Sequence, residues 1–217
     1  AFDMLNLPRT GILAVTMPCF GTTDRTYNNA LAMAEKLGTT VKEVPIAKSV
    51  KQHFEDIGHD VNKHDVTYEN SQARERTQIL MDIANEKNGI VIGTGDMSEL
   101  VLGWATYNGD HMSMYGVNAS VPKTLIRHLV RYHAENYNNP ELEAILADIL
   151  DTPVSPELLP PKDGDISQKT EEIVGAYELH DFYLYYMLRH GYAPQKLYRL
   201  ATYAFDGTYD AETVKKW

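Results

Sequence analysis

The chain has 217 residues, which is enough for one domain with a sizeable hydrophobic core. Lysine and arginine total 20 against 30 aspartates and glutamates, so the formal charge is −10. Such an acidic chain lacks the basic footprint of a general nucleic-acid binder, and any phosphate-bearing ligand must be held locally. No apolar run approaches the roughly 18 residues that span a bilayer, and a single cysteine excludes an internal disulfide framework. We therefore expect a cytoplasmic protein that does not enter a membrane.

Short apolar runs alternate with helical patterns in the first half of the chain. Residues Ile12–Pro18 predict a buried strand, and Asp24–Leu37 predict a helix. A second strand is expected over Val41–Ile46, a helix from about Asn70, and a third strand over Gly89–Gly93 that leads directly into another helix. This order predicts an α/β fold, in which a parallel sheet has helices on both faces and ligands bind beyond the carboxyl ends of the strands.

The second half of the chain is expected to be mostly helical. Pro122 predicts a helix start, and the proline-rich stretch Asp151–Thr170 predicts a long mobile loop that precedes a tyrosine-dense segment. We therefore divide the chain into an α/β nucleotide-binding part, 1–135, and a part with the mobile loop and the C-terminal helices, 136–217. The opening residues, Ala1–Leu5, are typical of the last turns of a helix. This indicates at least one further strand upstream, and a short N-terminal helix is the alternative.

The segment Gly93–Glu99 lies at the predicted junction of a strand and a helix. Its two glycines allow a ligand to approach the backbone closely, and the free amides of a helix start favour an anion. The alternative is an ordinary turn in which Asp96 or Ser98 caps the helix. Glu99 could ligate magnesium or simply complement the helix dipole, and Lys123 could reach a phosphate or belong to a solvated helix face. These residues by themselves indicate a nucleotide-sized anion site and no particular reaction.

A family resemblance covers nearly the whole chain. From Gly89 to Arg131 the sequence is GIVIGTGDMSELVLGWATYNGDHMSMYGVNASVPKTLIRHLVR, which closely resembles the synthetase domain of glutamine-dependent NAD synthetases. Three further stretches share the likeness: MPCFGTTDRTYNNA from Met17, TYENSQARERTQIL from Thr67 and ILDTPVSPELLP from Ile149. The resemblance implies an ATP pyrophosphatase with the adenine-nucleotide alpha-hydrolase-like fold.

The resemblance also implies a reaction. In that family the nicotinate carboxylate of deamido-NAD attacks the α-phosphate of ATP, which releases pyrophosphate and leaves an acyl adenylate. Ammonia then displaces AMP and forms the amide of NAD. ATP and Mg²⁺ are therefore expected as cofactors, together with a glutaminase domain of the parent chain as the source of ammonia. Since family members are oligomeric, a homo-oligomer is also expected.

Candidate site residues follow from the same resemblance. Glu99 and Lys123 are the catalytic candidates, and ATP would contact Thr94 and Lys123. Glu99 and Ser155 are the candidates for the metal. The deamido-NAD site is expected to comprise Asn70, Arg74, Glu99, Trp104, Ala105, Thr106 and Tyr107.

Two departures from the family pattern limit what we expect of this chain alone. The S-G-G-x-D-S loop, which cradles pyrophosphate and supplies a metal-binding aspartate, does not occur in the sequence and would lie upstream of Ala1. The family's late substrate-contacting lysine would lie beyond Trp217. We therefore expect part of an enzyme that does not form NAD unaided. One alternative is a non-catalytic nucleotide-binding or interaction module. Another is a different adenylating enzyme, such as a GMP or asparagine synthetase, against which the stretch Gly103–Lys123 argues.

Overall fold

The computed structural model describes residues 1–161 and 168–217. Two 3-10 turns, Asp3–Leu5 and Arg9–Gly11, precede the first strand. The strands and helices then follow in the order β1 (Leu13–Thr16), α1 (Asp24–Lys36), β2 (Thr40–Glu43), α2 (Ala47–Ile57), α3 (Val66–Lys87), β3 (Ile92–Asp96), α4 (Met97–Leu102), β4 (Tyr115–Asn118), α5 (Lys123–Asn136), α6 (Pro140–Asp151), α7 (Thr170–Val174), α8 (Tyr177–His190), α9 (Pro194–Ala204) and α10 (Ala211–Lys216).

The strands of the described residues form two parallel pairs. β1 pairs with β2, with Leu13 opposite Thr40. β3 pairs with β4, with Ile92 opposite Tyr115, and the register shifts before Asp96. The predicted α/β fold with parallel strands is confirmed. Within the described residues, however, the strands lie in two separate pairs rather than in one continuous sheet, and β4 is an addition to the three predicted strands.

Several element boundaries differ from those predicted. The helix expected from about Asn70 begins at Val66, because the Asp65 carboxylate accepts the backbone N–H of Thr67 at 2.9 Å and caps the helix. Helix α2 was not predicted at all. Its buried residues are Val50 and Phe54, four positions apart on one face, and the other positions of the helix are mostly polar.

Separate hydrophobic clusters hold the helices together. The first fixes α2 and α3 beside the end of β2, the second packs α5 on α6, and the third packs α8, α9 and α10. The buried residues of these clusters are Ile46, Val50, Phe54 and Tyr68 in the first, Ala134, Leu142 and Leu146 in the second, and Leu179, Ala201 and Val214 in the third. No helix of the described residues is long and apolar enough to cross a membrane.

The segment predicted as a mobile loop lies partly outside the described residues, which exclude 162–167. Its first part contacts the helical body. Gln72 Nε2 of α3 donates to the carbonyl oxygen of Leu158 at 2.8 Å, and the Thr170 amide donates to Val154 O at 2.9 Å. The described ends of the segment are therefore tied to α3 and to each other.

An ion pair between α1 and α6 gives a pH prediction. Arg25 lies 2.6 Å from Asp148 Oδ1, and Asn29 donates to Oδ2 of the same carboxylate. Hydrogen bonds from Arg25 and then Asn29 lower the pKa of Asp148 to about 2. A lowered folded pKa contributes stability that is present above the unfolded pKa and is lost as the pH falls through about 2. We expect the carboxyl NMR resonance of Asp148 to titrate near that value and to move towards 3.8 in Arg25→Gln. Titration of the unchanged protein at the ordinary value would contradict this contact.

Candidate active site

The turn from β3 into α4 is closed by a reciprocal cap. Asp96 Oδ1 accepts the backbone N–H of Glu99 at 2.9 Å, and Glu99 Oε2 accepts the N–H of Asp96 at 3.1 Å. Two amides that the helix leaves without partners are satisfied in this way. Of the two capping candidates, the structure selects Asp96, while Ser98 turns its hydroxyl towards other helices.

Lys123 reaches this turn from the start of α5. Its Nζ lies 2.6 Å from Asp96 Oδ2 and 2.7 Å from Glu99 Oε1. The contact with Asp96 is a short ion pair, and the Asp96 side chain is only 1% exposed. Arg127 and Arg131, which follow Lys123 at intervals of four residues along α5, are exposed. The structure thus separates Lys123 from the solvated face and joins it to a lysine–carboxylate cluster, defined here as Asp96, Glu99 and Lys123.

Burial and charge oppose each other in this cluster. Burial alone lowers the pKa of Lys123, but hydrogen bonding and attraction to Asp96 and Glu99 outweigh it and raise the pKa above its ordinary range. The ring centroid of Tyr177 lies 5.5 Å from Lys123 Nζ, within the range of a cation–π contact. Burial, followed by the nearby Glu99 and Asp96, strongly raises the pKa of the Tyr177 hydroxyl. Among the described residues this buried hydroxyl has no hydrogen-bond partner.

A second group joins α3 to the loop that follows α4. Thr106 Oγ1 donates to Asn70 Oδ1 at 3.2 Å, and Arg74 Nε donates to Tyr107 O at 3.1 Å. Thr77 donates to the carbonyl of Gly109 at 2.7 Å. The three helical residues lie at spacings of four and three, so one face of α3 binds the part of the loop from Thr106 to Gly109. The structure therefore brings together Asn70, Arg74, Thr106 and Tyr107, four of the residues predicted for deamido-NAD.

The remaining predicted residues are distributed around these two groups. The Trp104 amide donates to Glu99 O at 2.9 Å, which connects the loop to the lysine–carboxylate cluster. Ala105 is exposed. Thr94 is also exposed, and its carbonyl accepts a long 3.4 Å hydrogen bond from Asn118.

Ser155 lies elsewhere, at the carboxyl end of β1. It lines a cavity of about 320 Å³ whose other lining residues include Thr16, Thr26 and Arg76. Its hydroxyl accepts the N–H of Glu157 at 3.1 Å. No contact within the described residues joins Ser155 to Glu99, the other residue predicted for the metal.

The donor chemistry of the lysine–carboxylate cluster suits a hard cation only in part. Mg²⁺ in proteins is commonly bound by one or two carboxylates, with substrate phosphates and water completing the shell. Asp96 and Glu99 are carboxylates of this kind, although Lys123 now contacts both. Within residues 1–161 and 168–217 no group of three or more histidine, cysteine, aspartate or glutamate side chains could hold a metal ion. A magnesium ion at this turn would therefore depend on phosphate oxygens for most of its ligands.

Sequence reasoning did not assign site roles to three buried residues near Lys123: Asp96, Tyr177 and Asp181. Asp96 had been interpreted only as a possible cap. Tyr177 and Asp181 lie in α8, in the tyrosine-dense segment, more than fifty positions after Lys123. No local motif marks them, because their contacts with the site exist only in the tertiary structure.

The arrangement defines a class of protein: an α/β fold whose charged cluster lies where a parallel strand meets the following helix, which is the usual place for a ligand. Comparison with known proteins gives the family. The sequence model described as NAD synthase matches residues 4–206, and the chain belongs to this family.

Individual relatives agree with this assignment. The glutamine-dependent NAD(+) synthetase of Mycobacterium tuberculosis is 44% identical over 219 residues, which cover 98% of this chain and 32% of that protein. The crystal structure of a glutamine-dependent NAD(+) synthetase from Cytophaga hutchinsonii superimposes with a TM-score of 0.70 at 24% identity, over 94% of this chain and 31% of that one. The enzyme of Acinetobacter baumannii in complex with ADP gives 0.57 at 24% identity, over 93% and 33%. The chain thus spans about a third of the length of these proteins.

Proposed function

We propose that this chain is part of the amide-forming domain of a glutamine-dependent NAD synthetase. The parent enzyme would form NAD from deamido-NAD, ATP and ammonia through an acyl adenylate. The observation that carries the proposal is the half-buried Lys123 beside Asp96 and Glu99, with the face of α3 that bears Asn70 and Arg74 joined to it through one loop. The names of the relatives support the same activity and glutamine as the source of ammonia.

Lys123 is proposed to contact phosphate. In the structure it carries one positive charge between two carboxylates, so the cluster as a whole is negative near neutral pH. An incoming triphosphate would be repelled unless further positive charge came with it. Magnesium accompanying ATP would supply that charge, and Glu99 is the residue proposed to contact it. Lys123 would then exchange a carboxylate partner for a phosphate oxygen, as a point charge of this kind can.

Deamido-NAD is proposed to lie along the α3 face and the loop after α4. Asn70 and Arg74 supply an amide and a guanidinium, and Tyr107, which is 75% exposed, offers an aromatic ring for stacking. Trp104, Ala105 and Thr106 complete this surface. ATP is proposed to extend from Thr94, in the second half of β3, towards the cavity that contains Ser155 at the carboxyl end of β1, since ligands of parallel sheets bind beyond the carboxyl ends of the strands.

The isolated chain is proposed to bind substrate without turnover. The printed sequence contains no S-G-G-x-D-S loop to cradle the pyrophosphate. A non-catalytic dinucleotide-binding module is therefore the second candidate function. Incubation with ATP, magnesium, deamido-NAD and ammonia tests this expectation, because sustained NAD formation would contradict both the proposed inactivity of the isolated chain and the second candidate function.

Calorimetric titration with deamido-NAD tests the binding role of α3. Asn70→Ala is expected to weaken binding about tenfold, since one hydrogen bond to a partly buried ligand is worth about 1.4 kcal/mol. Gln78→Ala is the matched control, because Gln78 lies two turns further along α3 and is exposed. Magnesium–ATP is titrated separately and is expected to bind weakly. Equal affinities of the two variants for deamido-NAD would show that Asn70 does not bind this ligand. If the unchanged chain did not bind deamido-NAD at all, the proposed binding by the isolated chain would be wrong.

A further inference from the structure

One buried carboxylate of α8 links three helices around Lys123. Asp181 Oδ2 accepts the Thr124 backbone N–H at 2.8 Å and the Thr124 hydroxyl at 2.7 Å. Its other oxygen accepts the hydroxyl of Ser98 in α4. Ser98 Oγ in turn accepts the Lys123 N–H at 2.9 Å. Asp181 is 7% exposed and Ser98 fully buried, so these hydrogen bonds form out of contact with bulk water.

These bonds replace a local cap for α5. The first amides of a helix lack partners within it, and the residue before α5, Pro122, makes no capping hydrogen bond with its side chain. Here the amides of Lys123 and Thr124 are satisfied by Ser98 and Asp181 from other helices. A negative charge at this end of α5 is favourable, because the helix dipole is positive there.

The same bonds connect the backbone of Lys123 to the helix that carries its carboxylate partner Glu99. Ser98 belongs to the helix that Asp96 caps and that contains Glu99, so the spacing between α4 and the first turn of α5 decides whether Lys123 Nζ reaches both carboxylates. Tyr177, one turn before Asp181 on α8, places its ring against the same amine. Asp181 itself has no contact with that amine among its hydrogen bonds.

We propose that Asp181 is a positioning residue, which acts through Ser98 and Thr124 to hold Lys123 in the orientation that phosphate binding requires. The inference rests on the proposed function for the role of Lys123, but the placement of Lys123 by Asp181 is testable without any activity. If Asp181 only stabilised the packing of α8, its substitution would change the reactivity of the Lys123 amine no more than that of other lysine amines.

The test uses the full chain with Asp181→Asn, which keeps the shape of the side chain but leaves one oxygen to accept where two accepted before. Glu178→Gln is the matched control: it makes the same chemical change on the same helix, and Glu178 is exposed and bonds to Tyr209 in the C-terminal part. Amide hydrogen exchange is measured at Thr124. Limiting acetylation, resolved by peptide mass spectrometry, reports the reactivity of each lysine amine.

In Asp181→Asn we expect the Thr124 amide to exchange roughly tenfold faster and Lys123 to be acetylated several-fold faster than in Glu178→Gln, which corresponds to the loss of a hydrogen bond to a charged group. Lys196 and Lys215 serve as internal references and should not change. Ser98→Ala is a second variant that removes the acceptor of the Lys123 amide, and its effect should not add to that of Asp181→Asn because the residues form one network. Equal Lys123 rates in Asp181→Asn and Glu178→Gln, or a uniform rise of all lysines, would overturn the proposal.

A ligand measurement separates this inference from the proposed function. Magnesium–ATP is expected to protect Lys123 from acetylation in the unchanged chain and to protect it several-fold less in Asp181→Asn. If magnesium–ATP protects Lys123 in neither protein while the unliganded rates still differ, the phosphate role fails and the placement by Asp181 stands. If the unliganded rates do not differ, the placement by Asp181 fails whatever the ligand does.

Discussion

Lys123→Met is expected to lower the free energy of unfolding by about 3 kcal/mol, because the change leaves the buried Asp96 carboxylate without its cation. The Asp96 side chain is 1% exposed and that of Lys123 18%, so water cannot solvate the remaining charge. Methionine has a comparable length and fills most of the same space, which limits the contribution of lost packing. Urea denaturation of both proteins measures the difference.

Two further variants identify the cause of that loss. Lys123→Met combined with Asp96→Asn should recover much of the stability, since asparagine is also a good cap and carries no charge. Lys36→Met, which breaks the exposed pair between Lys36 and Glu141, should have a far smaller effect because water and salt screen that pair. A double variant no more stable than Lys123→Met would rule out the unpaired carboxylate as the cause.

The pH dependence of the same interaction has a definite sign. The pKa of Lys123 is raised in the folded chain, so the stability it contributes is fully present below the ordinary value of 10.5 and is lost as the pH rises through the higher folded value. The difference in stability between the unchanged chain and Lys123→Met should therefore be constant near neutral pH and shrink only in strongly alkaline solution. A difference that shrinks between pH 7 and 9 would contradict this assignment.

Gly21→Ala is expected to destabilise the chain by about 2–3 kcal/mol through overpacking. A methyl group at Gly21 would overlap the backbone carbonyl of Glu157 and lie 2.8 Å from the nitrogen of Leu158. Backbone atoms cannot rotate away as a side chain can, so the 155–159 segment would have to move. That movement would also break the 2.6 Å hydrogen bond from Thr26 to Glu157 and alter the cavity that Ser155 lines.

Gly89→Ala is the matched control for Gly21→Ala. Among the described residues, no atom outside the two chain neighbours lies within 4 Å of a methyl group built there, and the φ of Gly89 is not positive. The control should be neutral or slightly stabilising, since alanine has less conformational freedom in the unfolded chain. Denaturant midpoints and slopes of the two variants decide the question. Similar midpoints would show that the 155–159 segment can move away from Gly21 at little cost in stability.

The agreement between sequence and structure is best where the signal is local. The helix over Asp24–Leu37 was placed to within one residue, because its apolar periodicity and the glycine after it are properties of a few neighbouring residues. Helix α2 was missed because its buried face consists of only Val50 and Phe54. Strand β4 was missed because its burial does not alternate: Tyr115, Gly116 and Val117 are all exposed.

The candidate site divides in the same way. The cap at Asp96 was among the predicted alternatives, since a capping box involves only four consecutive residues. Whether Lys123 faced solvent or the site could not be decided from its spacing with Arg127 and Arg131. The structure decided it, because Lys123 Nζ lies 2.6 Å from Asp96 Oδ2 and 2.7 Å from Glu99 Oε1.

The sequence by itself determined the family, the parallel α/β class and the residues proposed to contact substrate, because these depend on composition, local periodicity and resemblance. Only the tertiary structure decided which of those residues meet. It joined Glu99 to Lys123 and Asn70 to Thr106, left Ser155 in a separate cavity, and added Asp181 from a helix far along the chain. The physical reason is that hydrogen bonds and ion pairs act over about 3 Å in space and leave no periodic trace along the chain.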